Sequence, residues 1–78
     1  MENVLTQKKE ISIFKTSVVS AEQIPFLSDI LNTIIGPHFW NFDLEDKDNI
    51  LRIEASPLVN NFLIQEINKL GFECEELF

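Results

Sequence analysis

The order in which apolar patterns succeed one another constrains this chain more than any motif in it. An alternating segment is followed by a capped helical stripe, two alternating segments around an acidic turn, a second capped helical stripe and a short alternating end. Ile11 to Val18 alternates and predicts a first strand, with Ile11 and Ile13 on one face and Ser12, Phe14 and Thr16 on the other. Ser20 with Gln23 reads as a capping box, and Val19 with Ile24 as a hydrophobic staple, so a helix is expected from there. Its apolar stripe is Ile24, Leu27, Leu31, Ile34 and Ile35, and Gly36-Pro37 ends it. Pro25 falls in or just after the first turn, where the helix starts late or bends.

His38 to Leu44 alternates again, with Trp40, Phe42 and Leu44 against Phe39, Asn41 and Asp43. The polar stretch from Glu45 to Asn49 is a turn, and Ile50 to Ala55 returns as the second arm of a hairpin, Leu51, Ile53 and Ala55 forming one set. Ser56-Pro57 places a cap before a first-turn proline whose missing N–H costs nothing. A second helix to about Leu70 follows, with Val59, Phe62, Leu63, Ile67 and Leu70 as its stripe and Gly71 as its left-handed stop. Phe72 to Glu76 is the last strand, and Met1 to Lys9, which has no periodicity, reads as a tail preceding a single domain over 10–78.

Two amphipathic helices and four short strands bury both stripes only if the helices cover one face of one sheet. The right-handed crossover rule then selects an α+β, ferredoxin-like β-α-β-β-α-β fold, a four-stranded antiparallel sheet in the order 4-1-3-2. The expected inward set is Ile11, Ile13, Trp40, Phe42, Leu51, Ile53, Phe72 and Cys74. Ser12, Phe14, Asn41, Asp43, Arg52, Glu54, Glu73 and Glu75 then form an acidic open face on which Phe14 is the exception.

Over Ile11 to Glu76, the length, the element order and the Leu70-Gly71-Phe72 step after the second helix resemble the heavy-metal-associated domains of copper chaperones and metal-transporting ATPases. Those domains hold soft metal on a Met-x-Cys-x-x-Cys loop between the first strand and first helix. Here that loop is Lys15-Thr16-Ser17-Val18-Val19-Ser20-Ala21, without either thiolate. Hydroxyls are poor substitutes for thiolate toward Cu(I) or zinc, so the resemblance implies a domain that has lost its metal function.

Thirteen acidic residues against six basic ones leave a net charge of -7, which disfavours nucleic acid and anionic membranes as partners. The single cysteine, Cys74, has no disulfide partner in the chain, and no uninterrupted apolar leader opens it, so a cytoplasmic location is expected. Cys74 reads as a core thiol and His38 as a surface residue, on opposite sheet edges. Asp43, Glu45, Asp46 and Asp48 lack the glycine and terminal glutamate of a calcium loop and read as a solvated turn.

No nucleophile pairs with His38, and two glycines cannot build a phosphate loop, so no catalytic, cofactor or metal residue is assigned. The glycine-rich anion loop of acylphosphatases is missing, and so are the outward aromatics that RNA-recognition domains carry on their third strand. The expected function is non-enzymatic protein association or self-association, through the strand-two edge, the open face around Phe14 or the charged C-terminus. The alternatives are metal handling through Cys74 or the acidic turn, and small-molecule sensing.

Overall fold

The computed structural model describes residues 9–77; the expected tail, except for Lys9, lies outside them. Strand β1 (Glu10–Thr16) is followed by a 3-10 turn (Ala21–Gln23) and helix α1 (Pro25–Ile34). Strands β2 (Trp40–Asp43) and β3 (Ile50–Ala55) form a hairpin, a 3-10 turn (Pro57–Val59) leads into helix α2 (Asn60–Lys69), and β4 (Cys74–Glu76) completes the sheet. All neighbouring strands are antiparallel and the order is β2-β3-β1-β4, the expected order read from the other edge. Both helices pack on one face, with Leu27 and Leu31 of α1 and Leu63 and Ile67 of α2 in one core with Leu51 and Ile53. This is the ferredoxin-like layout.

Local chemistry explains the helix ends. Ser20 makes no side-chain cap bond, although Gln23 Oε1 accepts from Val19 N–H at 2.8 Å, so only the returning half of the capping box forms and it lands one residue early. The staple is absent because Val19 is exposed. α1 proper starts at Pro25, the first helical position, where a missing N–H loses no bond. Gly36 stops it at φ +115°, its N–H on Leu31 C=O, and a Cβ there would come 3.0 Å from the Phe39 ring. At the second turn Ser56 Oγ accepts from Leu58 N–H at 3.2 Å, and Gly71 ends α2 at φ +95°.

The largest departure from expectation is the face of β1. Phe14 is 0% exposed and Ile11 is 57% exposed, so the inward residues are Ser12, Phe14 and Thr16, and the expected inward pair Ile11 and Ile13 lies on the open side. The cause is register: Phe14 stands opposite Leu51 and Ser12 opposite Ile53, and directly paired residues share a face. The two inward hydroxyls are hydrogen-bonded. Thr16 Oγ1 donates to Asn49 C=O at 2.6 Å and accepts from Val18 N–H at 3.2 Å, while Ser12 Oγ accepts from Asn60 Nδ2 at 3.0 Å.

On α2 the buried line is Asn60, Leu63 and Ile67, one turn apart, so Phe62 and Leu70, expected in the stripe, are exposed. β2 and β4 are shorter than expected. His38 and Phe39 precede the β2 ladder, and Phe72 packs on the core from the loop before β4.

The burial of Phe14 yields a test. Phe14→Ala is expected to cost about 3–5 kcal/mol of stability, whereas Ile11→Ala stays within about 0.5 kcal/mol. Urea titration of both variants decides it: a larger loss for Ile11→Ala than for Phe14→Ala would mean that β1 turns its other face to the core.

Candidate functional site

The chemistry-bearing residues do not converge. His38 and Cys74 lie by β2 and on β4, the two outer strands of the sheet. Among the described residues no three His, Cys, Asp or Glu side chains stand close enough to hold a metal ion. In the loop after β1 the hydroxyls of Thr16 and Ser17 are engaged in structure: Thr16 bonds Asn49, and Ser17 Oγ accepts from Glu73 N–H at 2.8 Å, tying the loop to the approach to β4, while Ser20 makes no cap bond.

The acidic turn is held by its own carboxylates. Asp43 Oδ1 accepts from Glu45 N–H at 3.2 Å and Asp46 Oδ1 from Asp48 N–H at 2.8 Å, and Asn49 closes the turn at φ +51°.

Cys74 is buried beneath α2, and burial, with a smaller contribution from the charge of Glu76, pushes its thiol up from about 9 to about 12. At neutral pH it is a protonated thiol, a poor nucleophile and a poor metal ligand. At the start of α2, Asn60 Nδ2 bridges Ser12 Oγ at 3.0 Å and Glu76 Oε2 at 3.2 Å, joining α2 to β1 and β4. Asn60 Oδ1 is buried without a partner among the described residues.

What the fold does present is an open sheet face and two strand edges. Pairing across the strands places Phe39, Glu54 and Ile11 in one row of that face and Asn41, Arg52, Ile13 and Leu77 in the next. An apolar diagonal of Phe39, Ile11, Ile13 and Leu77 therefore crosses the face expected to be acidic, with Arg52 Nη1 3.5 Å from Asn41 Oδ1 beside it. Phe14, the expected centre of this face, is in the core instead. A cleft of about 140 Å³ opens at the start of β2 between Ile11, Phe39, Asn41, Arg52 and Glu54, and Lys9 Nζ sits 3.5 Å from the Phe39 ring centre.

Hydrogen-bond phase decides what the edges offer. Glu54 N–H donates to Phe39 C=O at 2.8 Å, so Phe39, Asn41 and Asp43 face β3, and the N–H and C=O groups of Trp40 and Phe42 point out of the sheet. At the other edge, Ser17 N–H to Glu73 C=O and Leu77 N–H to Ile13 C=O direct the backbone of Cys74 and Glu76 outward. The two edges differ in charge. β4 and its approach carry Glu73, Glu75 and Glu76, whereas β2 carries one carboxylate, Asp43. The side chains of Trp40 and Phe42 lie on the helix side, half-buried, with rings 6.0 Å apart in a T-shaped pair, and Trp40 Nε1 donates to Asn32 Oδ1 of α1 at 2.8 Å.

Comparison with family models, with curated proteins and with solved structures finds no match for this chain. Among the described residues no helix is long and apolar enough to cross a membrane. That strand two lies at an edge was legible from the element order, through the crossover rule that sets the strand order. The Asn60 bridge was not, because a lone asparagine at a helix start carries no sign of what it will meet.

Cys74 provides the check. The unfolded chain gives up this proton near 9 and the folded chain near 12, so the folded state holds the extra proton between those values and stability falls as pH rises through them. The slope approaches ~1.4 kcal/mol per pH unit relative to Cys74→Ala, with no contribution below the lower value. Alkaline urea titrations of both proteins measure it; parallel curves would show a thiol open to solvent.

Proposed function

We propose that this chain is a non-enzymatic, cytoplasmic association domain that binds protein by adding a strand at the β2 edge. The observation that carries the reading is the pair of outward-facing residues, Trp40 and Phe42, whose N–H and C=O groups line an uncharged stretch of edge above a half-buried aromatic pair. Strand addition uses such main-chain groups for affinity and alternate side chains for selectivity. An edge left in this state is otherwise an aggregation hazard, which proteins commonly blunt with charge, as β4 does with its glutamates.

The chemistry elsewhere supports the same reading. A thiol held near 12 is suited to packing, the hydroxyls of Thr16 and Ser17 are engaged by backbone groups, and Asp43 and Asp46 of the acidic turn hold its own peptide groups. A net charge of -7 works against phosphate backbones and anionic lipid as partners. A lone, buried cysteine fits a reducing compartment.

A photo-cross-linking side chain installed at Asn41, in the cells that make the protein, is expected to yield an adduct of one discrete mass. The same group installed at Lys69 on α2 is expected to yield none, and Phe42→Pro, which removes an outward N–H, should abolish the Asn41 adduct. No adduct from Asn41, or equal adducts from both positions, would overturn the assignment.

A further inference from the structure

We propose that the strand received at the β2 edge is β2 of a second copy of this chain, paired antiparallel about a two-fold axis through Asn41. This rests on the association reading above and names its partner. Two four-stranded sheets then become one continuous sheet with all helices on the same side.

The backbone specifies the register. With Asn41 opposite Asn41, Trp40 of each copy stands opposite Phe42 of the other, and these are the two residues whose N–H and C=O groups point out of the edge. Each Trp40 and Phe42 pair exchanges both of its hydrogen bonds, so no outward group of β2 is left over. A slip of one residue would turn the aromatic pair of one copy against the open face of the other. A slip of two would leave Trp40 or Phe42 facing a residue outside the strand.

Side chains agree with that register on both faces. On the helix side, Trp40 of one copy meets Phe42 of the other, extending the T-shaped pair within each chain across the axis and covering rings that are only half-buried in one copy. On the open side, Asp43 stands opposite Phe39 of the other copy. Lys9 Nζ lies 3.5 Å from the centre of that ring, so each Asp43 carboxylate approaches a Lys9 ammonium, twice by symmetry, and neutral Asn41 occupies the axis.

The other edge refuses the same arrangement. Self-pairing at β4 would bring Glu73, Glu75 and Glu76 of both copies together in a chain that is already acidic. Pairing along a strand of four residues is a small contact of the weak, transient class, so the dimer is sought between about 1 µM and 1 mM.

Sedimentation of the full chain over that concentration range is expected to show a monomer–dimer equilibrium and nothing larger. Asp43→Lys and Lys9→Glu should each weaken the dimer about tenfold or more, by setting like charges opposite each other. The double variant, which restores the pairing with its signs exchanged, should return to within about threefold of the parent. Asp43→Asn, which keeps a side-chain acceptor for Glu45 N–H, serves if the lysine variant fails to fold, and should weaken the dimer by about threefold. Hydrogen exchange should slow with concentration at the amides of Trp40 and Phe42 and not at those of Cys74 and Glu76.

A chain that stays monomeric to ~1 mM, a double variant no better than the single ones, or protection at Cys74 and Glu76 instead would overturn the self-pairing. If the chain is monomeric while the Asn41 cross-link in cells gives an adduct of some mass other than twice its own, self-pairing fails and strand addition stands; if no adduct forms, both fail.

Discussion

The pairing of β1 with β3 is the constraint on which the rest of this molecule depends. Phe14 opposite Leu51 and Ser12 opposite Ile53 set which side of the central strand is covered by the helices, and the face of every other strand follows from that through the ladders. Turning the other face inward would take Lys15 into the core with Ile11 and Ile13, whereas the hydroxyls that accompany Phe14 inward find partners in Asn49, Val18 and Asn60. Without those bonds the same face would bury two uncompensated polar groups and lose much of its advantage.

The consequence for function runs through the open face and the edges. Turning Ile11 and Ile13 outward gives a face expected to be acidic an apolar diagonal ending at Phe39, over which Lys9 rests. The same phase that orients β3 leaves the backbone of Trp40 and Phe42 directed out of the sheet, at an edge with little charge, while the opposite edge is guarded by glutamates. Asymmetry between two edges of one small sheet is a physical basis for choosing one docking site over another, because like-charged strands repel across a ladder and neutral ones do not.

Much of the architecture was legible in order and spacing. Gly36-Pro37, Ser56-Pro57 and Gly71 punctuate the helices where expected, and the stretch from Glu45 to Asn49 turns as its short polar side chains dictate. The β1 face was misread although one sign of it was present: Lys15 shares the parity of Ile11 and Ile13, and a lysine cannot follow them into a core without a partner. The α2 stripe was misplaced for a different reason. Phe62 looks like core by hydrophobicity, yet the enclosed line begins at Asn60, whose amide is retained there by Ser12 and Glu76, residues distant in the chain.

By itself, then, the sequence determined the element order, the helix stops, the acidic hairpin and the two-layer fold, because these follow from local backbone preferences and from the need to cover two apolar stripes. Which face of β1 is buried, which backbone groups are left at each edge, and that Asn60 meets Ser12 and Glu76 were decided only by tertiary structure. Strand alternation defines two faces without naming the inner one, and the choice is made by the residues standing across the ladder, which lie 30 or more positions away in the chain.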